Sequence, residues 1–147
     1  MLENVQVLRI SQDDKEAVLK ELSDAAIAKG FAKADYHQAL IERESQYPTG
    51  LHTPEVEVAI PHADAEWANV SSLTIGLLDK PVKFQSMDGM GGDVNAEIVF
   101  MLTIQDPKEQ IDFLRAFSTV LGSPEILLDF KKTGDHHALI ETIRTKM

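Results

Sequence analysis

The chain opens with a short apolar run, Val5 to Ile10, that has the character of a strand. In the segment that follows, SQDDKEAVLKELSDAAIAKG, Ser11 offers a cap, acids crowd the opening turn, and apolar residues fall at Val18, Leu22, Ala25 and Ala26 before Gly30 supplies a stop. A helix is predicted there. A second is predicted over Asp35 to Tyr47, because Tyr36, Leu40, Arg43 and Tyr47 recur at steps of four, three and four until Pro48 and Gly50 break the pattern.

The spacing changes in the middle of the chain. VEVAI, SSLTIGLL, VKF and AEIVFMLTI are rich in apolar and β-branched residues and are separated by Pro, Asp, Asn or Gly clusters, so each is predicted to be a strand. From Asp106 the helical period returns. Asp106 can cap, Pro107 suits a first turn, and Ile111, Leu114, Phe117, Val120 and Leu121 form the predicted apolar stripe. Ser123, Pro124 and Glu125 repeat the start signal, and a last helix is predicted after Asp135. The fold expected from this order is α/β: a mixed β-sheet flanked by helices in a single domain spanning residues 1–147.

Composition narrows the function classes. The longest apolar stretches, such as Glu97 to Ile104, fall well short of the roughly 20 residues needed to cross a bilayer, and the N-terminus lacks the basic start and apolar core of a secretory signal. A cytoplasmic location without membrane insertion is expected. With no cysteine, disulfides, thiol catalysis and cysteine-ligated metals are excluded. The net charge of −10 comes from 24 acidic against 14 basic residues, and the basic residues are scattered, which argues against nucleic acid as a partner. A partner with a basic face suits such a field, and any anion handled here needs a local cation.

Two residues stand out against that background. In EVAIPHAD, residues 57–64, Pro61 cannot donate to a sheet ladder and so marks the end of a strand, with His62 directly behind it. An imidazole there can accept a phosphoryl or acyl group, act as a base, ligate a metal, or simply be a histidine hydrogen-bonded at a loop start. Arg43 sits on the apolar stripe of the second helix, where a guanidinium calls for an anion: a ligand oxygen, Glu44, another acid, or solvent reached by snorkelling. In YPTG, Thr49 and Gly50 form a turn whose hydroxyl and N–H can face a ligand or serve the turn itself. The glycine-rich MDGMGGD lacks a P-loop lysine and leads into a strand, so it is read as a connection. His37, His52, His136 and His137 are expected on solvated surface. His62 and Asp64 lack a third ligand at a recognised spacing, so no metal site is expected; neither a GxSxG elbow nor an HExxH motif is present.

Taken together, ALIERESQYPTG at residues 39–50 and VAIPHAD at residues 58–64 resemble the signature of enzyme IIA domains of the bacterial sugar phosphotransferase system, fructose/mannitol superfamily. That pattern is an Arg-Glu pair, a Thr-Gly turn, then Ala-aliphatic-Pro-His, and the resemblance extends over nearly the whole chain. It implies that His62 carries a phosphoryl group on Nε2, taken from the phosphocarrier HPr and passed to a cysteine of a IIB component. It further implies Arg43 as the electrostatic partner, Glu44 and Thr49 as support, and no bound cofactor. Mannitol-type domains carry a second histidine where this chain is similar to them but has Gln110, whose amide can donate yet cannot become cationic. Gln110 and the long loop from Thr49 to His62 resemble the galactitol branch, implying galactitol or a related polyol as the transported sugar. The resemblance also admits a regulatory IIA-like module whose phosphorylation state controls a partner other than a transporter.

Overall fold

The computed structural model describes residues 3–89 and 91–147. In chain order these form β1 (Val5–Ile10), α1 (Lys15–Ala28), α2 (Tyr36–Gln46), β2 (Gly50–Leu51), β3 (Val58–Ala59), a short 3-10 turn (Ala65–Trp67), β4 (Ser72–Phe84), β5 (Val94–Thr103), α3 (Pro107–Leu121), α4 (Pro124–Thr133) and α5 (His137–Lys146). The five strands make one sheet in the order β1-β4-β5-β3-β2. β1 runs parallel to β4 and β3 parallel to β5, whereas the β4–β5 and β2–β3 pairs are antiparallel. The expected mixed sheet flanked by helices is the architecture found.

Each face of the sheet carries its own core. Val18, Leu19, Leu22 and Ala26 of α1, with Tyr36 and Leu40 of α2, pack on Val82, Phe84, Val99 and Met101. On the other face Phe113, Phe117, Leu127, Phe130, Leu139 and Ile143 of α3 to α5 pack on Ile75, Ile98, Phe100 and Leu102. β5 lies in the middle and supplies both sides, which is why AEIVFMLTI reads as a nearly continuous apolar run.

Several boundaries differ from the sequence expectation. The cap of α1 is Asp14, whose carboxylate accepts from Ala17 N–H at 2.9 Å, while the Ser11 hydroxyl bonds Asp79 instead. SSLTIGLL and VKF are one strand, β4, because a register shift between Leu77 and Val82 absorbs the exposed Asp79, Lys80 and Pro81. The stripe of α3 is also rotated: Ile111 is 58% exposed, and Phe113, Ala116, Phe117 and Val120 are the residues that face the core.

Candidate active site

The site is assembled where three segments meet: the end of α2, the turn into β2, and the end of β3. β3 stops at Ala59, and Ile60 N–H then donates to the Thr49 carbonyl at 3.2 Å. Pro61 has no N–H to offer, but its carbonyl accepts from Leu102 N–H at 3.0 Å, so His62 forms an isolated bridge to β5 at Leu102. Tyr36, buried in the first turn of α2, donates its hydroxyl to the Leu102 carbonyl at 2.6 Å. Burial pushes the Tyr36 phenol well above its ordinary pKa and keeps it a donor. The strand end that carries His62 and the helix that carries Arg43 are therefore fastened to one residue of β5, the first through the Leu102 N–H and the second through its carbonyl.

His62 is half-buried, and its Nδ1 lies 2.9 Å from the Ile60 carbonyl oxygen. A carbonyl can only accept, so Nδ1 carries the proton and Nε2 keeps its lone pair. Burial lowers the pKa of the ring, the Arg43 charge adds to that shift, and the Ile60 carbonyl and Asp64 oppose it. The result is a neutral imidazole with one nucleophilic nitrogen.

Arg43 extends from the last turn of α2 and places Nη1 3.0 Å from Asp64 Oδ1. Its guanidinium also lies over the Tyr47 ring, 5.2 Å from the centroid. Tyr47, expected on the apolar stripe, is 62% exposed and forms a platform for the cation. Of the options open to Arg43 in the sequence, pairing with an acid is realised, and the acid is Asp64 and not Glu44.

Glu44 instead turns inward. It is buried to 2% exposure, and its carboxylate accepts from Thr49 N–H at 2.9 Å and from the Thr49 hydroxyl at 2.7 Å. Burial raises the Glu44 pKa, while the two Thr49 donors and Lys15 act against the shift. The YPTG turn is thus pinned through one carboxylate, and the Thr49 carbonyl passes the constraint to Ile60 and hence to His62. Gly50 is required next to it by a close approach: an added Cβ would stand 2.6 Å from the Gln85 carbonyl oxygen and 3.0 Å from Val94.

His62, Arg43 and Thr49 line one depression of about 390 Å³, together with Tyr47, Pro48, Met87 and Leu114. A larger one, about 550 Å³, shares Arg43, Gln46 and Tyr47 with it, includes Asp64 and Trp67, and does not include His62. Gln110 is half-buried one helical turn before Leu114 and is not among the residues lining the His62 depression. Among the described residues, no group of three or more His, Cys, Asp or Glu side chains is placed to hold a metal, and no helix is long and apolar enough to cross a membrane. The sequence reading missed Asp64 as the partner of Arg43, Tyr36 as a strut, and Met87 and Leu114 as walls. The Asp in PHAD was the available signal for the first; nothing local marks the others.

A family model described as "Phosphoenolpyruvate-dependent sugar phosphotransferase system, EIIA 2" matches residues 1–146. The chain belongs to that family. This EIIA chain is accordingly a phosphotransferase component, a phosphoryl carrier of a sugar phosphotransferase system. The galactitol-specific EIIA component of Escherichia coli strain K12 is 33% identical over 118 residues, which cover 80% of this chain and 78% of that protein. The fold matches the crystal structure of IIA mannitol from Escherichia coli with a TM-score of 0.74 at 20% identity, covering 96% of each chain. It also matches the Escherichia coli complex of IIA mannitol with phosphorylated IIB mannitol, with a TM-score of 0.72 at 18% identity over 97% of this chain and 95% of that one. The EIIA fold and the sequence resemblance agree.

Proposed function

We propose that this EIIA chain carries its phosphoryl group on Nε2 of His62, receives it from the phosphocarrier HPr and passes it to a cysteine of the IIB component of a transporter for galactitol or a related polyol. The observation that carries this reading is the Nδ1 hydrogen bond to Ile60, which leaves Nε2 with its lone pair in a depression shared with Arg43 and Thr49. The Nε2 lone pair forms the new N–P bond while the electrons of the old one return to the donor's ring nitrogen. His62 already holds the tautomer of the product, so its proton stays on Nδ1, donated to the Ile60 carbonyl, throughout. Transfer onward reverses the roles: a IIB thiolate takes the phosphorus, and the electrons return to Nε2.

Phosphoryl transfer depends mainly on positioning and on stabilising the charge of the equatorial oxygens. Arg43 supplies that cation in a chain of net charge −10, Thr49 lines the same depression, and Glu44 holds Thr49 from behind. Gln110, one turn before Leu114 and outside the lining of that depression, is assigned as an amide donor to a phosphoryl oxygen on the resemblance alone. The apolar rim of Tyr47 and Met87, both substantially exposed, suits transient docking of two successive partners. A cytoplasmic location follows from those partners.

The test is reconstitution with phosphoenolpyruvate, enzyme I and HPr, followed by addition of a galactitol-type IIB protein. Gain of one acid-labile phosphoryl group, then its loss to the IIB cysteine, is the expected sequence. A chain that stays unphosphorylated contradicts the carrier reading; one that is phosphorylated but passes the group to no IIB protein contradicts the transporter role and favours a regulatory one.

A further inference from the structure

We propose that Asp64 is a positioning residue of the transfer site, which holds Arg43 in the unphosphorylated protein, competes with the phosphoryl group for the same guanidinium, and so keeps the phosphohistidine easy to discharge. The inference rests on His62 being the carrier.

Arg43 is the charged residue common to both depressions. It lines the depression that holds His62 and the separate one that holds Asp64, with the Tyr47 ring as a platform common to both. Its resting ion pair is to Asp64, at 3.0 Å. Neither neighbouring glutamate on α2 competes for it, since Glu44 is engaged by Thr49 and Glu42 accepts from Gln38. Asp64 follows His62 by two positions, and its side chain is 67% exposed. A dianion arriving on His62 therefore meets a cation already engaged and a carboxylate close by. Moving the guanidinium onto the phosphoryl oxygens gives up the Asp64 pair, and the released carboxylate repels the dianion. Both effects raise the free energy of the phosphorylated state relative to the free one.

An exposed pair of this kind is worth about a two- to fivefold shift in an equilibrium constant. The site gains from such a modest penalty. A carrier that binds its phosphoryl group too well cannot hand it on, and an internal competitor weakens the product without removing the cation needed at the transition state.

The experiment is the phosphorylation equilibrium against phosphorylated HPr for wild type, Asp64→Asn, Asp64→Glu, and Asp64→Asn in an Arg43→Gln background. Asp64→Asn is expected to shift the equilibrium about two- to fivefold toward the phosphorylated chain and to slow spontaneous loss of the group, a gain that misfolding does not produce. Asp64→Glu is expected to restore the wild-type value, and the Asn effect is expected to shrink when Arg43 is absent. An unchanged or lowered equilibrium in Asp64→Asn overturns the role, because a lowered value means that Asp64 orients Arg43 for the phosphoryl group. An effect of full size without Arg43 also overturns it, since Asp64 then acts by direct repulsion alone. Failure of wild type itself to accept phosphate removes the carrier assignment, an outcome distinct from a labelled wild type whose Asp64 variants behave alike.

Discussion

His62 donates Nδ1–H to the carbonyl of Ile60, 2.9 Å away, and Ile60 in turn donates its own N–H to Thr49, which Glu44 grips by both its N–H and its hydroxyl. A buried carboxylate at the end of α2 is thereby linked through three consecutive hydrogen-bonded steps to the orientation of the imidazole. Removing any link is expected to affect the ring as well as the fold.

Glu44→Ala leaves the Thr49 N–H and hydroxyl without their acceptor in a buried turn. The expected cost is about 1–3 kcal/mol of unfolding free energy, read as a lowered denaturant midpoint, together with slower phosphorylation of the folded fraction. Glu44→Gln keeps one acceptor and is expected to lose less. A stability equal to wild type in Glu44→Ala would show that the turn is held by other contacts.

The pH dependence follows from the direction of the His62 shift. Its folded-state pKa lies below the 6.5 of an ordinary histidine, chiefly through burial, so the ring stays neutral down to that lower value. The nucleophile is lost only as pH falls through the folded pKa, and the acid limb of the phosphorylation rate is expected below pH 6.5. The stability contribution has the same sign: it is present above the unfolded pKa and fades as pH drops through the folded one. Arg43→Ala is expected to move the limb upward, because the arginine charge helps lower the His62 pKa, and to slow transfer while leaving the fold intact. A ring titration by nuclear magnetic resonance in both proteins checks the order of the two values.

Gly50→Ala forces a methyl group to within 2.6 Å of the Gln85 carbonyl, a backbone atom that cannot swing aside. Because Gly50 N–H also donates to that carbonyl, the β2 edge is expected to shift, with a loss of about 1–3 kcal/mol in a denaturation experiment and a displaced Thr49. Full activity and stability in this variant would show that the edge yields freely.

Tyr36→Phe removes the hydroxyl that reaches the Leu102 carbonyl and leaves the ring in the core. About 0.5–1.5 kcal/mol of stability is expected to go with it, measured in the same way.

Most of the fold was legible in the sequence because it depends on local period. Tyr36 and Leu40 of α2, and Phe117 and Val120 of α3, sit in the core as their spacing requires. Misread features depended on distant partners. Asp79, Lys80 and Pro81 look like a turn, yet β5 pairs on both sides of them, and Ile111 looks like core but faces outward where α3 has nothing to cover it. β2 is too short to show a pattern, and of the VEVAI run predicted as a strand only Val58 and Ala59 pair in the sheet, as β3. In the site, the Pro61 stop and the anomaly of a cation at Arg43 were visible, and the Glu44–Thr49 contact spans only five positions. The Arg43–Asp64 pair spans 21 and needs the end of α2 and the loop after His62 to be brought together, which spacing does not reveal.

The most direct measurement is the position of the phosphoryl group, read from phosphorus–nitrogen coupling in chain labelled with nitrogen-15 histidine and charged through HPr. Coupling to Nε2 of His62, with Nδ1 still protonated and no label in His62→Ala, is the expected result. Phosphate found on Nδ1, on another histidine, or retained after His62→Ala would contradict the central claim.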